Sequence, residues 1–227
     1  MIGVFDSGDG GLFALHEIRR RLPNADVIFY ADRKNAPYGT KSKRELIRLT
    51  ARGVRRLLAE GADNVLIACC TASTVHSYLP DSLRERSVPI IYPTAKEAAL
   101  STTNRRLGVI ATSHTARSLA FTNSLRDFDE DYSVFEIAMQ GLVSLVELGS
   151  RDGNFSSADR MWLYKELCPL REQKIDTLIL GCTHFGHLER EISYLMPGVR
   201  IINSAKEGAK EIIVRMPKYG RGTTIYL

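Results

Sequence analysis

No apolar run in this 227-residue sequence approaches the roughly 20 residues that cross a bilayer, and the opening MIGVFDSG lacks the basic start and long apolar centre of a secretion signal. A cytoplasmic protein without a membrane partner is the expectation. Cysteine is scarce. The four present, Cys69, Cys70, Cys168 and Cys182, are too few and too irregularly spaced for a disulfide scaffold, and no CxxC pair with a downstream His marks a zinc site. Low-complexity tracts and linkers are missing, and 44% hydrophobic residues with 25% charged is ordinary globular composition, so disorder is not expected. Charge of one sign is not concentrated either. The formal charge is +5, but the basic residues are scattered among acids and no basic-aromatic stripe is visible, which argues against a nucleic-acid partner. The densest basic cluster, DRKNAPYGTKSKR from Asp32 to Arg44, is a loop containing Pro and Gly. It reads either as solvated surface or as a field that draws in a small anion.

What is present is alternation. Short apolar runs rich in β-formers (IGVFD, DVIFYAD, NVLIA, PIIY, LGVIA, YSVFEIA, TLILG, VRIIN) are separated by polar turns and mostly by stretches of helical period. In GGLFALHEIRRRL, for example, Leu12, Leu15, Ile18 and Leu22 share one face, and a second helix is expected from about Lys43 to Glu60. This is the pattern of an α/β protein with mainly parallel sheets. Strands without polar alternation are covered on both faces, as parallel strands usually are.

A weak internal repeat accompanies the alternation. IGVFDSG (Ile2 to Gly8) is echoed by LGVIATS (Leu107 to Ser113), offset by 105 residues from Gly3 to Gly108. VLIACCT (Val65 to Thr71) is echoed by LILGCTH (Leu178 to His184), offset by 113 residues from Cys69 to Cys182. Two similar lobes facing each other would set two thiols across one cleft.

Ligands of parallel α/β sheets gather beyond the carboxyl ends of the strands, and the polar motifs lie there. Asp6 and Ser7 end the first strand, followed by GDGG (Gly8 to Gly11), which is either a tight turn or a backbone cradle for an anion. It lacks the GK[ST] ending of a phosphate loop and the GxGxxG spacing of a dinucleotide site. Cys69 and Cys182 each sit where a strand gives way to a helix, a position that lowers a thiol's pKa and raises its thiolate fraction. One such cysteine is more often a small core residue. Two of them, with Thr71, Thr183 and His184 adjacent, point to chemistry, whereas Cys168 in MWLYKELCPL keeps the core reading. His16, His76, His114 and His187 carry no motif and read as surface residues.

IGVFDSGDGGL, NAPYGTKS, ACCTAST, LVSLVELG and LGCTHF together resemble, in order and over nearly the full length, the motifs of the glutamate racemases of the aspartate/glutamate racemase superfamily. The resemblance implies two α/β lobes with the active-site cleft between them, no cofactor, no metal, and interconversion of L- and D-glutamate to supply D-glutamate for peptidoglycan. It implies Cys69 and Cys182 as the two catalytic thiols, Asp6 assisting Cys69, and His184, oriented by Glu147, assisting Cys182. Substrate contacts carried over from the motifs are Asp6, Ser7, Tyr38, Gly39, Cys70, Thr71, Thr112, Thr115, Thr183 and His184. Tyr38 and Gly39 otherwise read as a type II turn, Thr112 and Thr115 as helix caps, and Glu147 as an exposed helix carboxylate. A homodimer is implied as well.

Departures from the family pattern fall close to these motifs. Cys70 stands where Asn is usual, Asp9 where a small apolar residue is, Gly186 and Gln140 where Pro is, and Asn203 where Asp is. A thiol donates and accepts hydrogen bonds more weakly than an amide, so weaker substrate binding is expected from Cys70. The expected division is one lobe of residues 1–93 with 204–227 and another of 94–203. The alternatives are a racemase for aspartate or another amino acid, since two thiols serve any α-proton, and a binding protein on the same scaffold, which the retention of both thiols argues against.

Overall fold

Strands that are apolar at every position need cover on both faces, and the structure supplies it with helices between and outside two parallel sheets. The computed structural model describes residues 1–147, 155–216 and 220–227; Leu148 and Gly149, which end the LVSLVELG motif, lie outside them. The strands are β1 (Ile2–Asp6), β2 (Val27–Ala31), β3 (Asn64–Ile67), β4 (Ser87–Pro89), β5 (Arg106–Ala111), β6 (Ser133–Ala138), β7 (Thr177–Gly181), β8 (Arg200–Asn203) and β9 (Thr224–Tyr226). They form one sheet in the order β4-β3-β1-β2-β9 and a second in the order β6-β5-β7-β8. All the ladders described are parallel.

The two orders carry the sequence repeat. Read from one edge, β4-β3-β1-β2 matches β8-β7-β5-β6 strand for strand, so β1 corresponds to β5 and β3 to β7. The first echo seen in the sequence is therefore the central strand of each sheet. The second is its neighbour, the strand that leads into a cysteine.

One continuous core joins the inner faces. Helices Gly11–Arg21, Ile91–Ser101 and Ser204–Val214 lie between the sheets, and Ala14, Leu15, Ile18, Ala95, Ala98, Ala205 and Ile212 pack with Val4 and Phe29 of one sheet and Leu107, Val109 and Ile179 of the other. The outer face of the first sheet is covered by helix Lys43–Ala59, which buries Leu46, Leu49, Val54 and Leu57. Its start is fixed by a capping box, in which Ser42 Oγ accepts from Glu45 N at 3.3 Å and Glu45 Oε2 accepts from Ser42 N at 3.1 Å. The outer face of the second sheet is covered by helices Gln140–Glu147 and Ser157–Glu172 through Leu142, Val146, Leu163, Leu167 and Leu170.

Three local expectations are corrected. PIIY is not a strand: β4 ends at Pro89 and a helix begins at Ile91. Pro93 falls in that helix's first turn, where the missing N–H has no partner to lose, and a four-residue apolar run fits either element. The edge strand β9, paired with β2, was not expected from TTIYL. The PYG segment is a 3₁₀ turn, Tyr38–Thr40, rather than a type II turn.

Asp176 ties the entry to β5 to the entry to β7. Its carboxylate accepts from Thr102 Oγ1 (2.6 Å), Thr103 N (2.7 Å), Thr103 Oγ1 (2.9 Å) and Asn104 N (2.7 Å). Burial opposes its charge, but these donors outweigh burial and bring the carboxyl from 3.8 to about 2. A value lower in the folded than in the unfolded chain stabilises fully above about pH 4, and the stabilisation is lost as the pH falls toward 2. Asp176 is largely solvated, so Asp176→Asn should lower the unfolding free energy by only about 1 kcal/mol at pH 7. Urea titrations should show that difference narrowing as the pH approaches 3; a gap independent of pH would contradict the account.

Candidate active site

The carboxyl ends of both sheets open on one cavity of about 340 Å³. Asp6 ends β1, Tyr38 and Gly39 follow β2, Cys69 and Thr71 follow β3, Thr112 follows β5, Gln140 follows β6, and Cys182, Thr183 and His184 follow β7. Ser7, Tyr38, Gly39, Cys69, Cys70, Thr71, Thr112, Glu147, Cys182, Thr183 and His184 all line the cavity. Asp6 and Thr115 do not line it and stand directly behind it.

Each thiol has its own polar partner. Ser7 Oγ lies 3.3 Å from Cys69 Sγ, which also accepts from Ala72 N at 3.4 Å as the cap of the short helix Cys70–Ser73. Cys182 Sγ lies 3.8 Å from His184 Nδ1, and His184 Nε2 lies 3.2 Å from Glu147 Oε1. Glu147, His184 and Cys182 thus lie in a row, with Glu147 half exposed at 52%. Asp6 does not hydrogen-bond Cys69. Its Oδ1 accepts from Gly8 N (2.8 Å) and its Oδ2 from Thr183 Oγ1 (3.2 Å), so it reaches the neighbour of the other cysteine.

Hydroxyls form a second cluster. Thr71 Oγ1 lies 2.9 Å from Thr112 Oγ1 and 3.1 Å from Thr115 Oγ1, and the latter two are 3.0 Å apart. Thr112 also caps helix Ser113–Ser118, so its capping and cavity readings both hold. Tyr38 places its ring at the cavity but turns its hydroxyl away, donating to Asp32 Oδ2 at 2.8 Å, a carboxylate also paired with Arg52. Close approach of the two halves requires glycine at position 10, where a Cβ would lie 2.4 Å from Thr183 Oγ1 and 2.7 Å from His184 Nδ1.

A sequence profile described as Asp/Glu/Hydantoin racemase matches residues 15–212. The chain belongs to this racemase family. It is 38% identical over 216 residues to a glutamate racemase of Pseudomonas aeruginosa, an alignment covering 93% of this chain and 79% of the relative. The solved glutamate racemase isoform RacE1 of Bacillus anthracis matches it with a TM-score of 0.89 at 30% identity, over 100% of this chain and 86% of that one. The glutamate racemase of Francisella tularensis, crystallised with D-glutamate, matches with a TM-score of 0.85 at 25% identity, over 99% and 86%.

In this racemase the thiols are not poised as their helix starts had implied. Burial lifts Cys69 from 9.0 to about 12, with the nearby Asp6 adding to the shift and Ser7 and Ala72 N opposing it. Burial lifts Cys182 well above 9.0 too, and its neighbours Cys70 and Cys69 push it further. A four-residue helix contributes at most about 1 kcal/mol of dipole stabilisation, whereas removing a thiolate from water outweighs that severalfold. Burial therefore disfavours the thiolate at both positions.

The departures also find places. Asp9 pairs with Arg33 at 2.6 Å, so its charge is offset. Cys70, fully buried, donates to Ser204 Oγ at 3.4 Å, and Ser204 Oγ in turn donates to Leu180 O at 2.7 Å. His76 and His114 are half-buried rather than on the surface, and His76 bonds Ser87 Oγ at 3.1 Å. The sequence reading missed Ala36, Pro37, Gln140, Val143 and Ser144 as lining residues. For three of them a signal existed: Gln140, Val143, Ser144 and Glu147 stand at i, i+3, i+4 and i+7, one face of a single helix. Among the described residues no helix is long and apolar enough to cross a membrane, and no cluster of His, Cys, Asp or Glu is arranged to hold a metal ion.

Asp6 carries the site's clearest pH signature. Complete burial raises its carboxyl from 3.8 to about 7, partly offset by the Gly8 and Thr183 donors. Because the folded value exceeds the unfolded one, the native state holds a proton that the unfolded chain has released, and stability falls as the pH rises from about 4 to about 7. Asp6→Asn removes this dependence. The variant should gain roughly 2–4 kcal/mol relative to the parent between pH 4 and pH 8. Equal pH profiles in chemical denaturation would show that Asp6 is not buried as a neutral acid.

Proposed function

We propose that Cys69 and Cys182 are the acid and base of a glutamate racemase that works in the cytoplasm and supplies D-glutamate for peptidoglycan. The observation that carries this reading is the placement of two thiols, from corresponding strands of two matching sheets, on one cavity, each with a separate polar partner. The names of the relatives favour glutamate over aspartate as substrate. Residues 1–93 with 204–227 form the lobe of Cys69, and residues 94–203 the lobe of Cys182. Supporting that division, all five strands of the first sheet fall in the former and all four of the second in the latter.

Inversion of an α-carbon needs a base on one face and an acid on the other. With one enantiomer, the Cys69 thiolate takes the α-proton while the Cys182 S–H delivers a proton to the opposite face; with the other enantiomer the roles exchange. Ser7 stabilises the Cys69 thiolate by donating to it, and His184 accepts from or donates to Cys182 according to direction, with Glu147 holding the imidazole. An ammonium group placed beside a sulfur favours its thiolate locally once substrate is bound. Thr183, which lines the cavity and donates to Asp6 behind it, accepts from that ammonium. Thr71 and Thr112, backed by Thr115, turn their hydroxyls to a carboxylate with help from Gly39 N–H. The weak thiol of Cys70 is engaged with Ser204 and gives the substrate little.

Solvent deuterium exchange tests the division of labour. Cys69→Ser and Cys182→Ser should each lose racemisation, by at least about a thousandfold, while each retains exchange of the α-proton from one enantiomer, opposite in the two variants. Cys70→Ala should keep both exchange reactions detectable. Near-normal racemisation in either serine variant, or inactivity of a folded Cys70→Ala, would overturn the assignment. A homodimer belongs to the same reading and rests on the resemblance; a monomer mass in light scattering at micromolar concentration would remove it.

A further inference from the structure

Apart from the groups that contact the two thiols, the polar groups around the cavity include two separate hydrogen-bonded sets. One joins Asp6, Gly8 N and Thr183; the other joins Thr71, Thr112 and Thr115. Only the first contains a carboxyl group, which suits the substrate ammonium. The second offers neutral donors, which suit a carboxylate.

Gln140 adjoins the second set. A Cβ built on Gly39 would lie 2.6 Å from Gln140 Oε1 and 3.0 Å from Thr112 Cβ, so these three residues meet at one corner of the cavity. Ser113 N lies 3.2 Å from Gln140 Oε1. A backbone N–H can only donate, so the amide oxygen must face Ser113 and Nε2 must face away from it. Nε2 then carries two N–H donors with no protein acceptor among the described residues, on a side chain that lines the cavity. The same helix carries Glu147, the partner of His184, seven residues on, about 10 Å along the helix axis. One rigid element therefore sets the separation between the Cys182 proton relay and the Gln140 corner.

We propose that Gln140 is a specificity-determining residue, donating from Nε2 to the distal carboxylate of the substrate at the corner formed by Gly39 and Thr112. The inference rests on the glutamate racemisation proposed above. It explains what an amide does at this corner that an apolar residue could not: it supplies a charge-assisted hydrogen bond to the group that distinguishes an acidic amino acid from an aliphatic one. Discrimination comes from an unpaired polar group when that carboxylate is absent.

Two variants separate the roles of the two ends of the amide. Gln140→Glu keeps an acceptor for Ser113 N but replaces the Nε2 donors with a negatively charged oxygen, whereas Gln140→Leu removes both. The full chain is assayed for racemisation of L- and D-glutamate and for competitive inhibition by 2-aminopentanoate, which has the same carbon chain without the distal carboxylate. Gln140→Leu should raise the KM for glutamate about tenfold and Gln140→Glu more, with kcat within about threefold in each. Inhibition by 2-aminopentanoate should stay within about twofold of the parent chain. A parental KM in Gln140→Glu, or equal weakening of glutamate and 2-aminopentanoate, would show that Gln140 acts only by holding Ser113 and would overturn the inference. Failure of the parent chain to racemise glutamate would instead refute the function proposed above and take this inference with it.

Discussion

Burial of two thiols in one cleft is the constraint on which the rest of the site depends. It arises from the fold: two sheets of the same strand order share a helical core, so the strand ends that carry Cys69 and Cys182 converge on one cavity. Burial takes both sulfurs out of bulk water, which favours S–H over the thiolate at each. A thiolate held permanently in an open cleft would be exposed to oxidation and metal capture.

The site is symmetric in its sulfurs and asymmetric in what tunes them. Cys69 has a hydroxyl partner that can only steady its charge, while Cys182 has an imidazole able to take and return a proton. Some of the hydrogen bonds that cross between the halves lie beside the cysteines: Thr71 reaches Thr112 and Thr115, and Asp6 reaches Thr183. Each is worth about 0.5–1.5 kcal/mol, little enough to be exchanged for substrate contacts when the cleft fills.

Much of this was legible in the sequence where a signal is local. β1 and β7 match the expected runs residue for residue, because continuous apolar residues bounded by polar turns leave little choice. The echo of VLIACCT in LILGCTH marked corresponding strands of two sheets. The errors lie where the deciding interaction is remote. Ile91 and Tyr92 continue an apolar run but belong to a helix packed between the sheets, and β9 exists only because β2 offers it an edge. The acidity of the thiols was misjudged because helix position can be read along the chain and depth of burial cannot. Asp6 was assigned to Cys69 by its motif, although its carboxylate bonds Thr183, which is 177 residues away in the chain.

The central claim, that burial favours S–H at both cysteines and that bound substrate brings one of them to the thiolate, is tested most directly by thiolate absorbance in the ultraviolet. The spectrum of a Cys69→Ser, Cys182→Ser double variant is subtracted from that of the parent chain, with and without saturating glutamate. The account predicts no difference attributable to thiolate at pH 8 in the empty protein, and a signal of about one thiolate per chain when glutamate is bound. A full thiolate signal at pH 8 without ligand would contradict it.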